Sequence, residues 1–195
     1  GASLKKANDL LKEIKRLLDV PHTQKSGTAN ATLSETISDI ESRLQSASTS
    51  AEFTTLIDEA KTAAKAFIGN ASPLSVNAPF DITFFINNPS MDDNTGWNNV
   101  PTVNHSCGEF FETTFNLVQT ISKAPAGTYK LTVQAFQRPG TYTVTYEDYI
   151  NGTNNVNTIL YIRTDQSLIK HIASEAEISK LHDEDITVGT PSVYI

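Results

Sequence analysis

Asp81-Ile82-Thr83-Phe84-Phe85-Ile86-Asn87-Asn88-Pro89-Ser90 begins the stretch whose reading decides the fold, and that stretch runs on to Arg138. From Ile82 it reads as a strand, Asn88-Pro89-Ser90 as a turn, and a short polar loop then carries it to Gly96-Trp97. Two alternating segments follow, Glu109 to Gln119 and Thr128 to Arg138, joined across Pro125-Ala126-Gly127. On the first, Phe111, Thr113, Phe115 and Leu117 share one side, opposite Glu112, Thr114 and Asn116. On the second, Tyr129, Leu131, Val133 and Ala135 oppose Lys130, Thr132 and Gln134. Alternation with period two is the mark of a half-buried strand. Tyr142, Val144 and Tyr146 continue it past Pro139-Gly140. Asn151-Gly152 marks another turn, and Thr158 to Arg163 reads as a further strand. Half-buried strands joined by short turns predict an antiparallel jelly-roll β-sandwich over residues 80–195. Phe111, Phe115, Leu131 and Val133 are its expected core. From Ser167 to Asp185 the pattern blurs into loop with a helical turn. Six or seven strands fall short of the eight a jelly roll needs, and the chain stops in Ser192-Val193-Tyr194-Ile195. Closing strands are therefore expected from further chain, from another domain or from a neighbouring molecule.

Upstream the period changes. Leu4, Ala7, Leu10, Leu11, Ile14, Leu17 and Leu18 recur every three or four residues, and Pro21 ends the run. Leu33, Ile37, Ile40 and Leu44 form a second stripe. Phe53, Leu56, Ile57, Ala60, Ala64, Phe67 and Ile68 form a third, closed by Gly69. Thr32-x-x-Glu35 and Thr49-x-x-Glu52 read as capping boxes. Three amphipathic stripes predict a three-helix bundle over residues 1–70. Residues 71–79, with Pro73 and Pro79, read as a linker outside helix and sheet. His22, alone in its loop, is expected to be solvated.

The boundary is also compositional. Residues 1–70 hold nine Lys/Arg and nine Asp/Glu, whereas residues 71–195 hold six and thirteen, so the whole net charge of −7 lies there. Fourteen of the sixteen aromatic residues follow residue 71. An acidic, aromatic-rich half repels phosphate backbones, which argues against nucleic acid. No apolar run approaches the ~20 residues of a membrane span. Cys107 is the only cysteine, so no intramolecular disulfide forms.

Few residues carry chemistry. Trp97, the only tryptophan, reads either as a core plug or as a platform for a sugar ring. With Asn98, Arg138 and Tyr149 it makes the candidate ligand-binding set. Glu109/Glu112 and Glu147/Asp148 lie too close in sequence to flank a glycosidic bond. His105-x-Cys107 has no second metal-type cluster, and Cys107 with His171 or His182 matches no thiol signature. A non-enzymatic chain is expected.

Three stretches, Ile82–Trp97, Phe111–Ile121 and Ala126–Arg138, resemble the galactose-binding-like, carbohydrate-binding-module-like β-sandwiches of exported bacterial proteins. The helical segment loosely resembles the small bundles that flank such modules. The resemblance implies a structural calcium near Asp92, set against the ordinary reading of Asp92, Asp93 and Asn94 as a capped turn. It implies no other cofactor. It also implies a non-catalytic carbohydrate-binding or adhesion module of an exported cell-surface protein, in the periplasm, on the outer membrane or outside the cell. Its partners would be a glycan or cell-surface polysaccharide and other domains of the same polypeptide. The alternatives are a structural or protein-docking module without a sugar site, and an accessory part of a glycan-degrading enzyme.

Overall fold

Helical periodicity in the first third becomes three packed helices: α1 (Ala2–Asp19), α2 (Ala29–Leu44) and α3 (Ser50–Gly69). The computed structural model describes residues 1–91, 93–104, 107–138, 140–153, 157–169 and 192–194. Ala7, Leu10, Leu11, Ile14 and Leu17 of α1 are buried against Leu33, Ile37, Ile40 and Leu44 of α2 and Leu56, Ala60, Ala64 and Phe67 of α3. Val20 is extended and Pro21 follows it, which ends α1. The Thr49 box forms as read. Thr49 Oγ1 accepts from the Glu52 N–H at 3.2 Å, and Glu52 Oε2 accepts from the N–H groups of Thr49 and Ser48 at 2.9 and 2.6 Å.

The Thr32 box does not form, because α2 starts a turn earlier. Its N-cap is Thr28, without a side-chain cap bond, and the Thr32 N–H is already satisfied by Thr28 O. The early start has two causes. Ala29 is buried in the core, and Gln24 Oε1 accepts from the otherwise orphaned N–H of Asn30 at 2.9 Å.

Gln24 belongs to β1 (His22–Gln24), which pairs antiparallel with β2 (Ala71–Pro73) in the register His22↔Pro73. The start of the expected linker is thus in a sheet. His22 is not a solvated loop residue either. Its ring lies edge-on to Phe67 at 5.4 Å and beside Phe80 at 5.8 Å, and it hydrogen-bonds Val20 O and Asn30 Oδ1 at 2.5 and 2.7 Å.

The chain divides into two compact units. The first comprises Gly1–Pro101 with Phe110–Ala126, and the second Thr102–Glu109 with Gly127–Ile195. In the first unit the strand expected from Ile82 to the Asn-Pro-Ser turn is replaced at Thr83–Phe85 by a 3-10 turn. Asp81 Oδ1 accepts from both the N–H and the hydroxyl of Thr83, at 3.0 and 2.6 Å, and so nucleates it. The turn also buries two neighbours at once: Phe84 and Phe85 are 7% and 6% exposed and meet edge to face on the helical core. A strand with one wet face cannot bury consecutive residues.

Among its described residues the second unit contains three two-stranded antiparallel pairs. They are β3 (Thr102–Asn104) with β4 (Cys107–Glu109), β5 (Lys130–Thr132) with β8 (Ser192–Tyr194), and β6 (Ile159–Ile162) with β7 (Asp165–Leu168). The alternating run 142–146 is helical, within α4 (Tyr142–Ile150). Tyr142 and Tyr146 lie one helical turn apart as readily as two strand steps apart, so the ends decide. Thr141 Oγ1 caps the start by accepting from the Val144 N–H at 3.3 Å. Gly152, at φ +69°, closes the end by donating to Tyr149 O at 3.1 Å.

The expected architecture, a three-helix bundle followed by a galactose-binding-like jelly roll, is therefore overturned, and the family resemblance goes with it. Among the described residues there are four helices, and every sheet has two strands. The alternating stretch 109–119 holds strand only at its first residue, and 128–138 only at Lys130–Thr132. Glu112 at φ +47° interrupts the first pleat. Phe111 and Phe115, expected in a core, are 64% and 38% exposed, and Leu131 and Val133 are half-buried. No helix among the described residues is long and apolar enough to cross a membrane.

Candidate functional site

Where a chain has little ladder, its backbone groups must find other partners. In the first unit they find amide side chains, which carry donors and an acceptor together. Gln119 Oε1 accepts from the Asn87 N–H at 2.7 Å. Its Nε2 donates to Asn87 O and Gly96 O at 2.9 and 2.8 Å. Asn98 Nδ2 donates to Asn116 O at 2.9 Å, and Asn98 Oδ1 accepts from the Val118 N–H at 2.6 Å. Asn88 Nδ2 donates to Asp93 O and Thr95 O, both at 3.0 Å. The half-buried Trp97 donates its indole N–H to Asn88 O at 2.7 Å. Together these bonds knot residues 87–98 to residues 116–119.

Two backbone features make the knot possible. Gly96 has φ +83°, and a Cβ there would stand 2.8 Å from Asn87 O. The position therefore requires glycine. Asp93 repeats the Asp81 device, accepting from the Thr95 N–H and hydroxyl at 2.8 and 2.5 Å. The Thr95 hydroxyl, then the Thr95 N–H, hold the Asp93 carboxyl below the usual carboxylate range.

The knot anchors Asn116, and the aromatic loop 110–115 lies immediately before it. Phe110 stacks on Phe115 with centroids 3.9 Å apart and planes at 5°. That stack closes the loop, and the left-handed Glu112 lies inside it. Phe111 stands out at 64% exposure. The site offers an exposed aromatic surface on a fastened loop, which suits non-covalent contact with an apolar or C–H-rich ligand face.

Trp97 and Asn98 lie in this knot. Both are committed to backbone bonds there. Arg138 and Tyr149 lie in the second unit. Arg138 is half-buried and donates to Gly140 O at 2.6 Å, and Tyr149 is exposed in the last turn of α4. Asp92, His105, His171 and His182 lie outside the described residues. Glu147 and Asp148 are on α4, where Thr153 Oγ1 donates to Asp148 Oδ1 at 3.1 Å. Among the described residues no group of three or more His, Cys, Asp or Glu is placed to hold a metal.

Sequence reasoning missed Gln119, Asn88 and Gly96 as fasteners and Phe111 as surface. Signals existed. Asn87, Asn88, Asn94, Asn98 and Asn99 crowd one short segment, which is turn chemistry. Phe110-Phe111 is an adjacent pair, and one pleated face cannot bury both.

A concavity runs between α2 and α3, with a volume of about 620 Å³. Thr32, Thr36, Asp58 and Thr62 line it over Ala63 and Phe67. Comparison with known families, curated proteins and solved structures gives no match to this chain.

Proposed function

We propose that this chain is a non-catalytic binding or adhesion module, contacting glycan through the aromatic loop 110–115. Phe111 carries the reading: a large apolar side chain stands 64% exposed on a loop whose following residues the Asn98 and Gln119 bonds anchor. The C–H groups of a sugar ring are weakly positive and meet the negative face of an aromatic ring. Prior fastening lowers the ordering cost of binding. A single exposed aromatic contact is a small surface, so weak, multivalent attachment is expected.

A glycan array probed with the full chain and with Phe111→Ala tests this. Hits by the wild type that vanish in the variant are expected. No hit by the wild type would sink the glycan contact. It would shift the reading to a protein-docking module, which the groove between α2 and α3 supports.

A further inference from the structure

The concavity between α2 and α3 is elongated. Its lining follows α3 from Thr55 to Asn70, a rise of about 22 Å. Thr32 and Thr36 supply the α2 wall, over Leu33, Ala63 and Phe67. Among the described residues no Lys, Arg or His lines it, and its charged residues are Asp58 and Glu59. Glu59 is already paired: Arg43 donates to its two oxygens at 2.5 and 2.9 Å, and to Asp39 Oδ2 at 3.2 Å. The Asp58 carboxylate has no ion pair among the described residues. Three cations stand next to lining residues in sequence. Lys61 donates to Asn87 Oδ1 at 2.9 Å and Lys65 to Ser122 O at 2.8 Å. Lys25 lies at the end away from Asp58, where its backbone N–H donates to Asn70 O at 2.7 Å.

An unpaired carboxylate in a wall that holds no cation suits a ligand that brings one. The other polar groups suit a polypeptide backbone. The hydroxyls of Thr55 and Thr62 have no protein partner among the described residues, and a hydroxyl both donates and accepts. Thr36 Oγ1 and Asn70 Nδ2 donate to Thr32 O and Ala66 O, both at 2.9 Å, which leaves their side-chain oxygens to accept from a ligand N–H. Length points the same way: an extended polypeptide covers roughly 22 Å with about six or seven residues. A sugar chain would lack a stacking face, since Phe67, the aromatic residue of the lining, is 2% exposed. Lysine has the longer apolar stem of the two strongly basic side chains, to lie over Leu33 and Ala63.

We infer that the groove between α2 and α3 binds an extended segment of a partner polypeptide that carries a lysine, whose ammonium group meets Asp58. The groove uses no residue of the loop 110–115, so this inference and the glycan contact of Phe111 fail separately.

The test is an NMR titration of the ¹⁵N-labelled full chain at fixed, low ionic strength. The probes are three capped hexapeptides, alike but for a central lysine, norleucine or glutamate, and a tetrasaccharide of glucosamine. The lysine peptide is expected to shift the amides of Asp58, Thr62 and Ala63. Norleucine, with the same stem and no charge, should bind at the same place about fivefold more weakly, the worth of one exposed ion pair, and glutamate more weakly still. Asp58→Asn should abolish the advantage of lysine while keeping the norleucine response, which shows the groove intact. Asp58 is exposed, so the variant is expected to fold. Asp9→Asn, which removes an exposed carboxylate of α1, should leave the lysine peptide unaffected. No shift with the lysine peptide, shifts outside α2 and α3, norleucine binding as tightly as lysine, an advantage of lysine that survives Asp58→Asn, or tighter binding of the tetrasaccharide would each overturn the inference.

Discussion

Replacing Gly96 by alanine tests the knot at the point where it has least slack. Two costs add. At φ +83° a side chain sits in the left-handed region, at roughly 1–2 kcal/mol. The new Cβ would also meet Asn87 O at 2.8 Å and Asn87 Cβ at 2.9 Å, against ordinary contact beyond 3.4 Å. Backbone must then give by about half an ångström, beyond the reach of good hydrogen-bond geometry for Gln119 Nε2. Its bonds to Asn87 O and Gly96 O now measure 2.9 and 2.8 Å, and losing them costs about 1 kcal/mol each. The sum is about 3–4 kcal/mol. Gly27→Ala is the control in the same unit: nothing lies within 4 Å of its added Cβ and its φ is not left-handed, so a change within about 0.5 kcal/mol is expected. Urea unfolding followed by Trp97 fluorescence reads both, since Trp97 is the only tryptophan and sits in the knot. Equal stabilities for the two variants would refute the close approach at Gly96.

Two further outcomes follow from the first unit. Thr49→Ala should cost about 1 kcal/mol by removing one half of a reciprocal cap. The other half titrates: the N–H groups of Ser48 and then Thr49 hold the Glu52 carboxyl below its usual 4.5. A depressed folded-state value means the stabilisation is complete above that pH and fades as pH falls below it, so acid melts of Glu52→Gln should lose part of that slope. Phe67→Ala should cost about 3–5 kcal/mol, because Phe67 is 2% exposed, whereas Phe111→Ala should stay within about 0.5 kcal/mol in the same denaturant melts.

The helices were legible because burial and sequence share one period there: the residues of the α1 stripe from Ala7 to Leu17 are the buried ones. The β-rich reading failed because alternation is a necessary mark of a strand and not a sufficient one. Local structure outweighed the strand reading at three places. Asp81 wound Thr83–Phe85 into a turn, Glu112 took a left-handed conformation inside the first run, and Thr141 and Gly152 capped 142–150 as a helix. The start of α2 needed Gln24, a residue from another element, which no reading of Thr32-x-x-Glu35 alone contains. Of the candidate ligand residues, Trp97 and Asn98 fall in the knot, but for a different reason from the one their types suggested. Their polar atoms fasten backbone, and exposure passes to Phe111, which alternation had assigned to the core.

Backbone amide exchange across residues 83–119 tests most directly whether this segment is a knotted loop or a strand. Slow exchange is expected at Asn87 and Val118, whose N–H groups are held by Gln119 and Asn98, and fast exchange through 111–115. Gln119→Ala should release Asn87 while the core of α3 keeps its protection. Alternating protection through 109–119, as in a paired strand, would contradict it.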